Sequence, residues 1–349
     1  MPARALLCSS LAAAVLLAPA APVAGQAALG NPRTKPGQLV IRGDEQRGNA
    51  VTDPARRRAA MVTAAKLLAA LRRDPAIASP VGYQITLTRS AGKPREGFDV
   101  GAAYHVGYEG YVWQYILDDD AHAGQRIIPA ARLPVGAFVN TVWCAGDFGD
   151  KALDGGPPIV QGSQVTGRLH GYLVYDGDCI LITNRGEHPF LPVTRERFLR
   201  LKIMAMEKKL AYARRNDAKE RAAMPPEMRA QFDSLDLQVD SVVDAWKTDL
   251  RGMSAADRVR PVWVRHTAPG DSEMVEPGDA RGVPLLSPNP AFFDPRLPPD
   301  QPQVIALYIP FAQPGVTPNG IEEDPPRRAN MQAIVDGLDW ASLAAMVKP

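Results

Sequence analysis

Residues 194–251, TRERFLRLKIMAMEKKLAYARRNDAKERAAMPPEMRAQFDSLDLQVDSVVDAWKTDLR, decide the fold class of this chain. Leu199, Ile203, Met206, Leu210 and Ala213 recur at spacings of four, three, four and three, which puts them on one face of a helix. Met228, Phe232, Leu235, Val239, Val242 and Trp246 repeat that alternation in the second half. Between the halves, Pro225-Pro226-Glu227 suits a first helical turn, where no amide proton is needed and an acid meets the positive end of the helix dipole. A link this short predicts an antiparallel helical hairpin over 194–251. The charges agree: residues 195–221 carry ten Lys or Arg against four Asp or Glu, and residues 225–251 carry three against six, so the limbs stand at +6 and −3. The expected packing sets Leu199, Ile203, Met206 and Leu210 against Phe232, Leu235, Val239 and Trp246, because two such faces hide most readily in each other. Each limb spans about 40 Å, so the hairpin either braces one flank of a compact body or projects from it.

The flanks of this stretch read as β structure. Val81, Tyr83, Ile85 and Leu87 alternate with Gly82, Gln84, Thr86 and Thr88, the pattern of a half-buried strand over 81–89. Strands are expected at 98–105 and 111–117, divided by Gly107 and Gly110, and again at 138–143. The sharpest hairpin signal is Tyr175-Asp176-Gly177-Asp178, joining 168–174 to 179–183, because Asp-Gly suits positive φ at both central positions. Nearer the start, Asp53-Pro54 opens a helix with a capping acid and a proline at its first position, followed by the stripe Met61, Ala64, Leu68 and Leu71. Beyond the helical stretch, 261–265 and 303–311 are strand-like, 269–300 is loop-like, and 327–338 and 340–347 form two short helices. Proline supplies 33 residues, nearly half of them after Arg260, which keeps the C-terminal part extended. The expectation is an α+β fold: an antiparallel β-rich body with a long antiparallel helical hairpin and short N- and C-terminal helices. A single domain is expected over 26–349, with the hairpin inserted between β-rich segments.

Arg4, the apolar run 6–17 and the small residues ending in Val23-Ala24-Gly25 have the three regions of a signal peptide over 1–25. The apolar run is too short for a membrane-spanning anchor, which predicts a periplasmic or secreted mature chain with no transmembrane anchor. In that compartment Cys144 and Cys179 are expected to form a disulfide. A net charge of +2 argues against a nucleic-acid partner.

No nucleophile elbow, phosphate-cradling glycine loop, HExxH, paired CxxC or EF-hand loop occurs. Ser90-Ala91-Gly92-Lys93 fits SxxK by letter but ends a strand, and Gly270-Asp271-Ser272 lies in a proline-rich loop. Asp118-Asp119-Asp120 with His122, and the loop acids Asp147, Asp150, Asp176 and Asp178, offer oxygens to a divalent ion. Turns favour such acids without a metal, so no metal and no cofactor is expected. His105, His170, His188 and His266 are scattered along the chain. Tyr111, Trp113 and Tyr115 share one face of a strand, suited to gripping a sugar ring or a peptide, or to packing beneath the hairpin. The expected function is that of an exported bacterial envelope protein, a non-catalytic binding or scaffolding protein for a partner protein or glycan. The alternative is a cell-envelope hydrolase with an active site assembled from dispersed residues.

Overall fold

The computed structural model describes residues 31–43, 51, 53–92, 105–118, 126–142, 144, 147–148, 159–161, 164–185, 188–216, 218–268, 271–289, 291–298, 300–310 and 325–347. The expected signal peptide, residues 98–104, Asp119, Asp120, His122 and Asp150 lie outside the described residues. In chain order the described elements begin with a 3-10 turn, Pro32–Thr34, then β1 (Leu39–Arg42), α1 (Pro54–Leu71), α2 (Pro75–Ala78), β2 (Tyr83–Gly92), β3 (His105–Asp118) and β4 (Arg126–Val139). The short β5 (Asp147–Phe148) and β6 (Val160–Gln161) lead to β7 (Val165–Leu169), β8 (Tyr172–Tyr175), β9 (Cys179–Ile182) and β10 (Phe190–Pro192). Helices α3 (Arg195–Asn216), α4 (Ala218–Ala223), α5 (Pro226–Gly252) and α6 (Ala255–Val259) follow. The chain returns through β11 (Trp263–Ala268), β12 (Asp271–Val275), β13 (Val283–Pro288) and β14 (Ile305–Tyr308) to α7 (Pro325–Gly337) and α8 (Trp340–Met346).

The observed class is mixed α+β. Eight strands form one sheet in the order β1-β2-β3-β4-β14-β9-β8-β7, and a second sheet runs β12-β11-β13-β6-β5, with β10 also paired to β13. All the pairings are antiparallel except β1 with β2, which is parallel. One face of the large sheet carries Ile85, Leu87, Tyr108, Val112, Val139, Ile180, Ile305 and Leu307, packed with Leu67 and Leu71 of α1, Ile334 and Val335 of α7 and Leu343 of α8. On the opposite face, Cys179, Leu181 and Ala306 join Phe190, Phe292, Phe293 and Val304 in a second cluster. That cover lies at β9 and β14. Among the described residues no such cluster covers the β1 to β4 end of the same face, and this asymmetry positions the site described below.

Local chemistry explains several boundaries. The Asp53 carboxylate accepts the Arg56 N–H at 2.9 Å and Pro54 leads α1, so the expected cap is present. The stripe of α1 is rotated slightly: Ala64 and Leu71 are buried as expected, Leu67 is fully buried, and Met61 and Leu68 are partly covered. At the Asp-Gly turn, Asp176 and Gly177 both take positive φ, 49° and 80°. The expected strand 168–174 is divided by a second turn, where His170 and Gly171 have φ of 50° and 88°.

Four expectations need correction. Gly107 and Gly110 do not separate two strands; both lie inside β3, where an added Cβ would collide with Phe138 or with the Thr86 backbone. Residues 126–137 drew no strand expectation yet form most of β4. The loop-like 269–300 contains β12 and β13. The apolar seam of residues 194–251 is incomplete: Leu199, Ile203 and Leu210 are buried, but Val243 is the buried residue of α5 and Leu235 is 54% exposed. Polar contacts supply much of the rest. Arg214 bridges Asp240 at 2.7 Å, Arg221 bridges Asp236 at 2.8 Å, Lys247 bridges Glu207 at 2.8 Å, and the Lys202 ammonium lies 4.5 Å from the Trp246 ring centre. The root of α3 is anchored differently, with Phe198 packed among Val193, Val262, Val264 and Leu285 of the second sheet.

Candidate functional site

The open end of the large sheet holds a groove of about 410 Å³, within the size range of small-ligand sites. Strand alternation determines what lines it. In β2 and β3 the residues Ile85, Leu87, Tyr108 and Val112 turn toward the helices, so Thr86, Thr88, Glu109, Tyr111 and Trp113 turn the other way. The register then aligns them in rows. Thr88 stands between Arg42 and Glu109, and that row continues through Gly136 to Tyr308. Thr86 pairs with Tyr111 and Tyr111 with Pro134, while Trp113 pairs with Arg132. A register shift next to Trp113 re-aims β4 beside the groove.

Tyr111 and Trp113 are 5.7 Å apart between ring centroids and tilted by 59°. The exposed Arg132 guanidinium spans both, 4.7 Å from the Tyr111 centroid and 5.9 Å from that of Trp113, within range of cation–π attraction. The expected trio is thereby split. Tyr111 and Trp113 line the groove, but Tyr115 is 7% exposed and lies 4.5 Å beneath the Lys35 ammonium of the N-terminal segment. The main contacts of α3 are with α4, α5, α6 and, through Phe198, the second sheet, so the aromatic residues are not what the helices cover.

Tyr308 closes the far wall. Its phenol donates to the Asp178 carboxylate, and burial with the nearby carboxylate pushes the phenol up to about 12. Asp178 itself is raised to about 7, first by burial and then by the neighbouring Asp176, against the lowering effect of the Tyr308 hydrogen bond. With its proton committed to Asp178, the Tyr308 oxygen presents a lone pair to the groove. The polar and aromatic lining is a tilted aromatic pair, two guanidiniums, one carboxylate and the hydroxyls of Thr86, Thr88, Tyr111 and Tyr308, a set that can stack on a ring and exchange hydrogen bonds around it.

Cys144 and Cys179 stand at disulfide distance, with Cα atoms 5.5 Å apart. Cys179 opposes Tyr308 in the sheet, so this pair lies directly behind the groove wall. The other candidates are dispersed. Ser90 is buried inside β2, His170 stacks on Trp340 at 4.6 Å, and Asp176 accepts the Gln164 N–H at 2.9 Å. Asp118 and His105 lie at opposite ends of β3, Asp147 is in β5, His266 is in β11, and His188 is exposed. Among the described residues no three His, Cys, Asp or Glu side chains are grouped to hold a metal ion, and no helix is long and apolar enough to cross a membrane. Arg42, Glu109, Arg132 and Tyr308 were missed from the sequence because each is a single polar or aromatic residue on a different strand. Only the register brings them together. No protein-family model, curated protein or solved structure matches this chain.

Proposed function

We propose that this chain is an exported envelope protein that binds a glycan in the groove of its large sheet. The carrying observation is the half-buried Tyr111 and Trp113 with the exposed Arg132 across them, bordered by Thr86, Thr88 and Glu109. A sugar ring offers an apolar C–H face to an aromatic surface and hydroxyls to flanking carboxylate, guanidinium and hydroxyl groups. Two arginines against one glutamate favour a saccharide that carries an acidic substituent. The leader-like start of the sequence and the disulfide-distance pair support an extracytoplasmic location. Helices α3 and α5 are read as limbs of an antiparallel hairpin, supported by the ion pairs that join Arg214 to Asp240 and Glu207 to Lys247.

A hydrolase reading has one observation in its favour, the Asp178 carboxyl raised to about 7 at the groove wall. Its hydrogen bond from Tyr308 places it behind the groove lining, and Glu109 is the acid that the groove itself presents, so binding is the reading preferred. Calorimetric titration with acidic and neutral oligosaccharides, including cell-wall fragments, tests it. Trp113→Ala is expected to weaken binding of an acidic oligosaccharide by at least about tenfold, as loss of a stacked ring does. Absence of millimolar or tighter binding by any of them, or unchanged binding by Trp113→Ala, refutes the proposal, and turnover of a wall fragment establishes the hydrolase.

A further inference from the structure

We propose that the groove is a ladder of subsites for a linear acidic glycan lying across the strands, about one sugar unit to a strand, with acids on two units that are separated by one other. This rests on the glycan reading above and adds to it the length, direction and charge spacing of the ligand. The row Arg42, Thr88, Glu109, Gly136 and Tyr308 crosses β1, β2, β3, β4 and β14 in continuous register. Strand spacings of about 4.8 Å make that row roughly 19 Å long. Each unit of a linear glycan advances the chain by about one such spacing, so successive units fall over successive strands. The fold sets both ends. At one end β1 is the outermost strand of the sheet; at the other, the cluster built on Cys179, Leu181 and Phe190 covers β9, the next strand after β14.

The steps of the ladder offer different chemistry. Over β1 stands the exposed Arg42 guanidinium, and over β2 the hydroxyls of Thr86 and Thr88. Over β3 lies the Tyr111 ring, with the Arg132 guanidinium drawn back from β4 to 4.7 Å from its centroid. Among the described residues neither Arg42 nor Arg132 is paired with a carboxylate. Two unanswered positive charges therefore stand two strands apart, and each suits a forked contact with an acid. The unit between them meets threonine hydroxyls and needs no charge. A ring over Tyr111 turns its acid toward Arg132 on the Trp113 side and its hydroxyls toward Glu109 on the other. At β4 the row carries Gly136 and no polar side chain, and at β14 the Tyr308 oxygen accepts from the last unit.

Calorimetric titration of the full chain with alternating uronate–N-acetylhexosamine oligosaccharides of two, four, six and eight units is the test. The dissociation constant should fall at least about tenfold from two units to four, and by no more than about twofold from six to eight, where the ladder is already filled. Arg42→Ala should weaken the tetrasaccharide about tenfold and leave the disaccharide unchanged, because two units seated on Tyr111 and Trp113 do not reach β1. Arg42 is exposed on the edge strand, and circular dichroism checks that the variant folds; the length series on the wild type needs no variant. A disaccharide bound as tightly as the tetrasaccharide, a gain from six to eight units as large as that from two to four, or an Arg42→Ala penalty equal at both lengths overturns the ladder and leaves the glycan reading standing. Silence at every length, with neutral oligosaccharides silent as well, overturns both.

Discussion

Helices α1 and α5 differ in how much of their apolar surface the folded chain covers. The 18 residues of α1 bury Ala60, Thr63, Ala64, Leu67, Ala70 and Leu71, whereas the 27 residues of α5 bury Val243. By pattern alone the order would be reversed, since α5 has the regular alternation and α1 is mostly alanine, arginine and a few leucines. Small side chains explain the success of α1. Alanines at 60, 64 and 70 let its backbone approach the sheet closely enough for the Tyr108 hydroxyl to donate to the Ala64 carbonyl at 3.1 Å. Periodicity reports that a helix has an apolar face. The shape of the neighbour decides whether one copy of the chain can cover it.

The comparison is broken most directly at Leu67. Leu67→Ala should cost about 2 to 5 kcal/mol in urea unfolding, because the side chain is fully buried between α1 and the sheet and its loss leaves a cavity. A cost below about 1 kcal/mol would mean that α1 is no better seated than α5.

A second effect sharpens the picture of the packed layer. Asp74 caps α2 by accepting the Ala76 N–H at 2.8 Å, is wholly buried, and has its Oδ2 atom without a hydrogen-bond partner. The end of α7 presses on it so closely that a Cβ at Gly337 would overlap the carboxylate. Burial raises Asp74 to about 6 in the folded chain, against the backbone hydrogen bond from Ala76, which lowers it. The folded state therefore holds its proton more tightly than the unfolded state does, and stability falls as pH rises from about 4 through 6. Asp74→Asn keeps the cap and should abolish that fall, leaving the variant more stable than wild type at pH 8 by about 3 kcal/mol. Parallel pH profiles of the two proteins would refute the assignment.

The smallest effect is expected at Leu235. Leu235→Ala should change unfolding stability by no more than roughly 0.5 kcal/mol, as exposed positions do. A cost like that of Leu67→Ala would show that α5 is covered within one copy after all.

Much of the fold was legible in local chemistry: the Asp53 cap, the Asp176-Gly177 turn, the cysteine pair and the alternation of Tyr83, Ile85 and Leu87. The strand over 126–137 was not, because Pro129 and Pro134 remove ladder donors. They are tolerated because β14 pairs with β4 only from Gly136 to Val139, so among the described residues both prolines lie where β4 has no second neighbouring strand. Half of the groove was legible as well, since Tyr111 and Trp113 stand on one strand. Tyr115 belongs to the same alternation, but Lys35, 80 residues away in sequence, covers it. No periodicity records a cover of that kind, nor the row that aligns Arg42, Glu109 and Tyr308.

Strand β14 pairs with β4 on one side and β9 on the other, and residues 305–308 follow every other described strand in sequence. Without β14 the described strands of the large sheet fall into two ribbons, β1 to β4 and β7 to β9, joined by no other pairing among the described residues. Contacts of such long sequence separation form slowly. Removal of β14 would unzip the sheet down its middle, a failure that no loss at an outer edge could produce.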